Sequence, residues 1–271
     1  MAGQIKVTVC GAMGRMGQRV IQAVMSHRDL VLAGAVERPD SPLLGQNIGP
    51  LMGDNSLNVA LSSDLKEAAK GSDVYIDFTS VESSLKYLEE ASDMGLAAVI
   101  GTTGLNAAQR ENLKQAGEKI PVIWAPNMSV GVNAMYKIAA AMARMLGPDY
   151  DLEIVESHHR LKKDAPSGTA MKLYETLAQA RGLDPKKSLI TGRSGQVGER
   201  ADHEIGVLAV RGGDIVGDHT VYFCGPGERL ELTHRAHTRD TFAQGAARAA
   251  SWLVLQKPGL YTIDDTLSFE L

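Results

Sequence analysis

Residues 7–19 decide the fold, and they read Val7-Thr-Val-Cys-Gly-Ala-Met-Gly-Arg-Met-Gly-Gln-Arg19. An apolar strand pattern leads into three glycines spaced G-x-x-G-x-x-G, close to the common G-x-G-x-x-G, and then into a helix. Glycines here permit a tight turn and let a pyrophosphate approach backbone N–H groups at the helix N-terminus, which carries a partial positive charge. The motif predicts dinucleotide binding, and a plain strand–turn–helix is the alternative.

An acidic residue and a basic residue follow the second predicted strand. Glu37 lies 20 residues beyond Gly17, where an acidic side chain accepts hydrogen bonds from the adenosine ribose. Arg38 is the residue type that meets a 2′-phosphate. We therefore expect NADH or NADPH as the cofactor. The alternative is a solvated charge pair at a strand end.

Three further segments follow predicted strands in the first half of the chain. They are Asp77-Phe-Thr-Ser80, Gly101-Thr-Thr-Gly104 and the segment that begins at Ala125-Pro-Asn-Met128. Ligands bind at the carboxyl ends of strands in parallel sheets, so hydroxyls and amides placed there are candidate contacts. Asn127 is a candidate for the nicotinamide end. The first two segments could also be simple turns, because Gly, Ser, Thr and Asp are turn residues.

The first half alternates short apolar runs with amphipathic segments, as expected of a parallel sheet covered on both faces. The predicted strands are Ile5–Cys10, Val31–Val36, Val74–Phe78, Ala97–Ile100 and Val122–Ala125. The predicted helices are Arg15–His27, Val81–Met94 and Ala107–Lys119. Right-handed crossovers make this an α/β fold, a Rossmann-type doubly wound parallel sheet.

The second half of the chain has a different residue pattern. Its predicted strands mix apolar and polar residues, as in a sheet that buries one face more than the other. The predicted strands are Leu152–His158, Ile205–Arg211, Thr220–Cys224 and Arg229–Ala236, with helices at Val132–Leu146 and Thr169–Arg181. Residues 192–201 are rich in glycine and charged residues and have little apolar content, which predicts a mobile loop. The apolar helix Thr241–Leu255 should return to the first domain. We expect a discontinuous dinucleotide-binding domain (1–127 and 240–271) and an α+β mixed-sheet substrate-binding domain (128–239).

Composition excludes several classes of function. The net charge is −4, and no stretch concentrates Lys or Arg as nucleic-acid binding requires. No apolar run approaches the ~20 residues of a membrane helix, and residues 1–6 lack the pattern of a signal peptide. The two cysteines, Cys10 and Cys224, form neither a disulfide framework nor a metal-type pair. We therefore expect a cytoplasmic protein that binds neither nucleic acid nor membrane.

A titratable cluster follows the strand that ends near His158. His158, His159 and Lys162 lie close together in the chain, and Ser167 is a candidate N-cap for the next helix. The N–H groups of Gly168 and Thr169, with the Thr169 hydroxyl, would form a carboxylate site at that terminus. The segment can therefore hold an anion and supply protons. A solvated basic loop is an alternative, and a metal site is less favoured because no third ligand has suitable spacing.

The segment Glu156-Ser-His-His-Arg-Leu-Lys-Lys-Asp-Ala-Pro-Ser-Gly-Thr-Ala170 resembles the signature of the dihydrodipicolinate reductase family. The resemblance spans nearly the whole chain through the glycine motif, the strand ends already named, residues 127–133, Arg211-Gly-Gly-Asp-Ile-Val-Gly-Asp-His219 and Glu231-Leu-Thr-His234. It implies a Rossmann domain completed by the C-terminal helix and a mixed-sheet domain that assembles a homotetramer. It also implies NADH- or NADPH-dependent reduction of a cyclic dicarboxylate at C4.

The resemblance implies roles for individual residues. His158 and Lys162 would be catalytic, and His159, Gly168 and Thr169 would bind substrate. The implied cofactor contacts are Gly11, Ala12, Met13, Gly14, Arg15, Met16, Glu37, Arg38, Gly101, Thr102, Thr103, Ala125, Pro126, Asn127 and Met128. Met128 occupies a position at which an aromatic residue is usual in this family. No metal is implied.

Two other classes of protein share such a first half. One is another two-domain reductase, such as a semialdehyde- or homoserine-type dehydrogenase. A semialdehyde enzyme that works through an acyl intermediate would need a nucleophilic cysteine, and neither Cys10, inside the first strand, nor Cys224 suits that role. A nucleotide-sensing regulator would have little need of both His158 and Lys162 beside an anion site.

Overall fold

The computed structural model describes residues 4–267, which divide into a first unit (4–130 and 239–267) and a second unit (131–238). The boundaries predicted from sequence, 127/128 and 239/240, differ from these by three residues and by one residue. The first crossing lies at the start of a helix that begins earlier than its apolar pattern suggests.

The first unit contains a seven-stranded sheet in which every pairing is parallel. Its strands are β1 (Ile5–Cys10), β2 (Leu30–Val36), β3 (Leu61–Ser62), β4 (Val74–Asp77), β5 (Ala97–Ile100), β6 (Pro121–Trp124) and β12 (Gly259–Tyr261). The spatial order is β3-β2-β1-β4-β5-β6-β12. Strand order therefore reverses between β1 and β4, which is where doubly wound sheets open a ligand crevice.

Helices cover both faces of this sheet. They are α1 (Gly17–Ser26), α2 (Ile48–Met52), α3 (Leu65–Ala68), α4 (Val81–Met94), α5 (Ala107–Gly117) and α8 (Asp240–Leu253). The apolar sides of α1 and α8 pack in one buried cluster, and those of α3, α4 and α5 pack in another. In β4 and β5, alternate residues enter opposite clusters, as the two-residue repeat of a strand requires. A short 3₁₀ helix, Ile263–Thr266, follows β12.

The second unit is a mixed five-stranded sheet in the order β11-β10-β7-β9-β8. Its strands are β7 (Asp151–His158), β8 (Leu189–Ile190), β9 (Ile205–Arg211), β10 (Gly217–Gly225) and β11 (Glu228–Ala236). β10 pairs antiparallel with β7 and β11, whereas β9 pairs parallel with β7 and β8. One face packs against α6 (Val130–Leu146) and α7 (Gly168–Ala180). The Rossmann-type and mixed-sheet fold classes predicted from sequence are confirmed.

Some predicted elements differ in extent. The first helix begins at Gly17 rather than Arg15, because residues 11–16 form turns. The sequence pattern also missed the two-residue strands β3 and β8, the edge strand β12 and the short helices α2 and α3. Residues 192–201 have no regular structure, but Arg193 and Arg200 both bind the Glu153 carboxylate, so this loop is anchored to β7.

Candidate active site

The glycine turn after β1 depends on the absence of side chains at two positions. Gly11 has a φ of +68°, in the left-handed region that disfavours other residues. A Cβ on Gly17 would lie 2.0 Å from the Gly11 carbonyl oxygen. Gly17 therefore lets the first turn of α1 pack directly on the loop that follows β1.

The start of α1 presents backbone donors. The N–H of Ala12 donates to the Val36 carbonyl at 3.0 Å. In contrast, the N–H groups of Arg15, Met16 and Gly17 have no acceptor among residues 4–267. No side chain caps this helix. Three successive donors at a helix N-terminus fit the pyrophosphate of a dinucleotide.

Glu37 is tied to the glycine turn. Its Oε2 accepts a hydrogen bond from the Met13 N–H at 2.9 Å, and its Oε1 accepts one from the Arg38 N–H at 3.0 Å. A carboxylate oxygen has a second lone pair, so each can still accept a ribose hydroxyl. The guanidinium of Arg38 is largely exposed and lies 3.3 Å from Asp40. Glu37 thus has a structural contact that its predicted ribose role did not include.

Asp77, at the end of β4, organises the neighbouring strand ends from a fully buried position. It accepts hydrogen bonds from the Thr79 N–H at 3.0 Å, from the Thr79 hydroxyl at 2.6 Å and from the Thr102 hydroxyl at 3.1 Å. The Ser84 hydroxyl also donates to it. Burial raises the pKa of Asp77, and these hydrogen bonds oppose that shift. The hydrogen bonds of this carboxylate are therefore made within the protein, and they hold the loops around Thr79 and Thr102 in place.

A cavity of about 360 Å³ opens at these strand ends. Eight predicted cofactor residues line it: Arg15, Met16, Gly101, Thr102, Thr103, Pro126, Asn127 and Met128. Phe78 and Thr79, from the strand-end segment 77–80 that the sequence also indicated, line it as well. Arg239 and Phe242 complete the lining, and sequence reasoning did not select them as cofactor contacts.

The remaining predicted cofactor residues lie outside the lining of this cavity. They are Gly11, Ala12, Met13, Gly14, Glu37, Arg38 and Ala125. Ala125 continues the sheet by donating its N–H to the Ile100 carbonyl at 3.1 Å, and it is buried. Ala12 is fully buried, and its N–H already donates to the Val36 carbonyl.

In the second unit, the predicted catalytic histidine is joined to a buried glutamate. His158 is the last residue of β7, and its Nδ1 lies 2.6 Å from Oε2 of Glu156. The guanidinium of Arg211 binds the same carboxylate through two hydrogen bonds of 2.7 and 2.8 Å. The Ser167 N–H donates to Glu156 Oε1 at 2.9 Å. Residues up to 55 positions apart thus meet on one carboxylate.

These contacts and burial have opposing effects on the pKa values of Glu156 and His158. Burial alone would raise the pKa of Glu156, but hydrogen bonds from Arg211, His158 and the Ser167 amide outweigh burial and lower it. Burial lowers the pKa of His158, the Glu156 carboxylate opposes this, and the positive charges of Lys162 and Arg211 add to the lowering. Glu156 is therefore ionised at neutral pH.

His219 packs against His158 from β10. The two rings meet edge to face, with centroids 5.2 Å apart. Nε2 of His219 lies 3.0 Å from the Ser167 hydroxyl. Burial lowers the pKa of His219 to about 3, so this ring is neutral at physiological pH.

Lys162 lies in the loop between β7 and α7. Its ammonium donates to the Asp164 carboxylate at 2.9 Å, and Asp164 is exposed. His159 is partly exposed just after the strand. The structure thus places His158, His159 and Lys162 within one short stretch of the same unit.

The N-terminus of α7 is built as predicted. Ser167 is the N-cap, and its hydroxyl accepts a hydrogen bond from the Ala170 N–H at 3.2 Å. Gly168 and Thr169 form the first turn. A Cβ on Gly168 would meet nothing within 4 Å, so the space over this turn is open. An anion can approach the helix N-terminus there.

Other chemistries find less support. Residues 4–267 contain no group of three His, Cys, Asp or Glu side chains that could hold a metal ion. Within the same range, no helix is both long and apolar enough to cross a membrane. Burial raises the pKa of both cysteine thiols, with the carboxylate of Asp77 adding to the effect at Cys10. An activated thiolate is therefore absent from this part of the chain.

Sequence reasoning missed Glu156, Arg211 and His219 as parts of this cluster. The Glu-x-His spacing of Glu156 and His158 was a usable signal, because alternate residues of a strand face the same side. The contributions of Arg211 and His219 depend on the pairing of β9 and β10 with β7, which residue spacing does not reveal.

Two family descriptions match the sequence. "Dihydrodipicolinate reductase, N-terminus" matches residues 5–128, and "Dihydrodipicolinate reductase, C-terminus" matches residues 131–267. Together they span both structural units.

Individual proteins agree with these matches. The chain is 52% identical to the 4-hydroxy-tetrahydrodipicolinate reductase of Citrifermentans bemidjiense, covering 97% of this chain and 98% of the relative. It is also 52% identical to the enzyme of that name from Syntrophotalea carbinolica, covering 98% and 100%. A dipicolinate-bound dihydrodipicolinate reductase from Paenisporosarcina sp. TG-14 superposes with a TM-score of 0.77 at 25% identity, covering 97% and 100%.

Proposed function

Because the chain belongs to the dihydrodipicolinate reductase family, we propose that it reduces 4-hydroxy-tetrahydrodipicolinate to tetrahydrodipicolinate in diaminopimelate and lysine biosynthesis. NADH or NADPH is the reductant. The observation that carries this proposal is the carboxylate-bound His158, which lies in the same short stretch of chain as Lys162 and the open N-terminus of α7. This arrangement suits an anionic substrate that must accept a proton.

The first unit binds the cofactor. The donors at Arg15, Met16 and Gly17 hold the pyrophosphate, Glu37 accepts from the ribose, and Arg38 meets the 2′-phosphate of NADPH. The cavity lined by Thr102, Asn127 and their neighbours binds the nicotinamide end of the cofactor. The 4-hydroxyl group leaves the substrate as water, and the cofactor, when bound, would supply the hydride that reduces C4.

The second unit binds the substrate and manages its charge. One carboxylate of the dianion is held by the N–H groups of Gly168 and Thr169 and by the Thr169 hydroxyl, with His159 as a further contact. Electron density moves towards the ring nitrogen as C4 is reduced. The Lys162 ammonium stabilises that charge, and Lys162 and His158 supply the proton as positioned acids.

The protein forms a homotetramer through the second unit. One face of its sheet packs on α6 and α7, whereas Val155, Leu208, Val210 and Tyr222 on the other face are at least partly exposed. Such a face suits association with further copies of the chain. Both described cysteines are free thiols, which fits the reducing cytoplasm.

The test is an assay with substrate generated in place from aspartate semialdehyde and pyruvate. We expect oxidation of NADH and NADPH that depends on this substrate, followed as loss of nicotinamide absorbance. The control is the same reaction without the enzyme that condenses aspartate semialdehyde with pyruvate to form the substrate. If the nucleotides bind but no substrate-dependent oxidation occurs, the proposed reaction is wrong.

A further inference from the structure

The buried carboxylate of Glu156 links His158 to the N-terminus of α7. It has no solvent exposure, and it accepts four hydrogen bonds: one from the His158 ring, two from Arg211 and one from the Ser167 backbone. Ser167 also caps α7, where the substrate carboxylate is proposed to bind. One side chain thus contacts both the proposed acid and the helix that forms the anion site.

The chemistry of the carboxylate determines the tautomer of the ring. An ionised carboxylate can only accept hydrogen bonds, so Nδ1 of His158, 2.6 Å away, must carry a hydrogen. Arg211 and the Ser167 amide keep Glu156 ionised, since both favour its charged form. Nε2 is then the nitrogen that gains and loses a proton.

The surroundings hold the ring in this orientation. His219 packs edge-on against it from β10. A Cβ on Gly217 would lie 3.0 Å from Nε2 of His158, so the glycine leaves room beside that nitrogen. The ring is fixed by Glu156 at Nδ1 and by His219 on its flank, while the space beside Nε2 is kept clear.

We infer that Glu156 is a positioning residue that holds His158 as the Nδ1–H tautomer and directs Nε2 to exchange the proton with substrate. Arg211 supports it by keeping the carboxylate charged. The inference rests on the proposed role of His158, but it makes a separate statement about the ring that needs no turnover to test.

The charges around His158 make the expected sign clear. Glu156 on the same strand favours the protonated ring, whereas Lys162 from the following loop and Arg211 from β9 disfavour it. His219 on β10 is neutral at physiological pH. Replacing Glu156 by a neutral amide removes the favourable charge, so the His158 pKa should fall. If activity requires protonated His158, the pH above which activity declines should then be lower than in the wild type.

The direct test is ¹⁵N NMR of the histidine rings in the full-length protein without ligands. His158→Gln identifies the signals of His158. We expect the wild-type ring to be protonated at Nδ1 and unprotonated at Nε2 on the alkaline side of its titration. A wild-type ring with its hydrogen on Nε2 would overturn the inference, and this measurement needs no Glu156 variant to fold.

The second test compares pH profiles of kcat/KM. In Glu156→Gln the alkaline limb should move down by roughly one pH unit, the scale of a lost charge interaction at this distance. Glu156→Asp keeps the charge and should restore part of the shift. The matched control is Glu153→Gln, because Glu153 is on the same strand and also binds arginine, but through Arg193 and Arg200. Its profile should stay in place.

A double-mutant cycle separates positioning from general damage. If Glu156 acts through His158, Glu156→Gln should cost little further kcat/KM in a His158→Gln background. Additive losses together with an unshifted pH profile would mean that Glu156 only stabilises the fold. If His158→Gln keeps its kcat, the proposed catalytic role fails, while the NMR result still decides the tautomer.

Discussion

His158 and Lys162 differ in how firmly their carboxylate partners hold them. Glu156 is buried and bound by several groups, so His158 cannot leave it without a large cost. Asp164 is exposed, and an exposed ion pair contributes little to stability. Lys162 can therefore exchange Asp164 for a substrate group, whereas His158 keeps its orientation throughout the reaction.

Loss of either side chain should slow the chemical step. We predict that His158→Gln and Lys162→Met each lower kcat by at least roughly tenfold, which corresponds to ~1.4 kcal/mol of barrier. The dissociation constant for NADH should stay within about twofold, because these residues are not assigned to the cofactor. Steady-state kinetics and NADH titration measure the two quantities.

Lys163→Met is the matched control, since Lys163 is the exposed neighbour of Lys162. Its kcat should equal that of the wild type. If both test variants keep their kcat and only KM rises, the two residues attract the dianion but do not donate protons.

Arg38 should discriminate between the two nicotinamide cofactors. Among residues 4–267 the one partner of its guanidinium is the exposed Asp40, so the group is available to a 2′-phosphate. Arg38→Ala should remove about 1.5–3 kcal/mol of NADPH binding, the value of a hydrogen bond to a charged group. The Kd for NADPH should rise at least roughly tenfold, while the Kd for NADH stays unchanged.

Calorimetry with each cofactor measures this, and Arg28→Ala, at an exposed arginine in the same unit, is the control. Equal weakening of both cofactors by Arg38→Ala would contradict the assignment.

At the scale of elements, the contact between α1 and the glycine turn should not tolerate a methyl group. In Gly17→Ala the added Cβ would meet backbone oxygens of Gly11 and Ala12, which cannot move independently of β1. We expect destabilisation at the upper end of the ~1–3 kcal/mol typical of overpacking, and weaker cofactor binding.

Thermal unfolding and NADH titration test this prediction. Gly168→Ala is the stability control, because a Cβ there meets nothing within 4 Å and its backbone conformation is an ordinary one. If Gly17→Ala is as stable as Gly168→Ala, close packing is not the reason for glycine at position 17.

Elements with a clear apolar pattern could be predicted from sequence, and the shortest ones could not. Predicted and observed bounds coincide for β1, β5 and β9, which contain continuous runs of buried residues, and for α4, whose buried residues recur at helical spacing. In contrast, β3 and β8 have two residues each and exist only because a neighbouring strand pairs with them. β10 begins at Gly217, three residues before its apolar pattern, because pairing with β11 continues to Ala236.

The site shows the same limit for side chains. His158, Lys162 and the α7 N-terminus lie within one continuous segment, so local sequence was sufficient to select them. Arg211 reaches Glu156 from 55 residues away, and only the parallel pairing of β7 with β9 brings His158 level with Arg211. Sequence spacing carries no information on that register.

At the scale of the whole molecule, the partly exposed sheet face of the second unit should govern assembly. We predict that Val210→Glu shifts the protein from the proposed tetramer to smaller species, because Val210 is 47% exposed in the single chain and a charge there opposes burial. Native mass spectrometry and light scattering measure the assembly. Leu255→Glu, an exposed position in the first unit, should leave it unchanged. A wild-type monomer would refute the tetramer.

The return of the chain through α8 also fixes the order in which the protein can be completed on the ribosome. Residues 4–130 are synthesised well before α8, whose alanine-rich side shares a buried cluster with Val9, Ile76 and Val99. During translation α1 can cover only part of that sheet face, so the part that α8 will cover is open to water. Exposed apolar surface of this kind attracts chaperones or other nascent chains. The second unit is contiguous in sequence and can close first. The nucleotide-binding unit therefore begins synthesis first and finishes folding last.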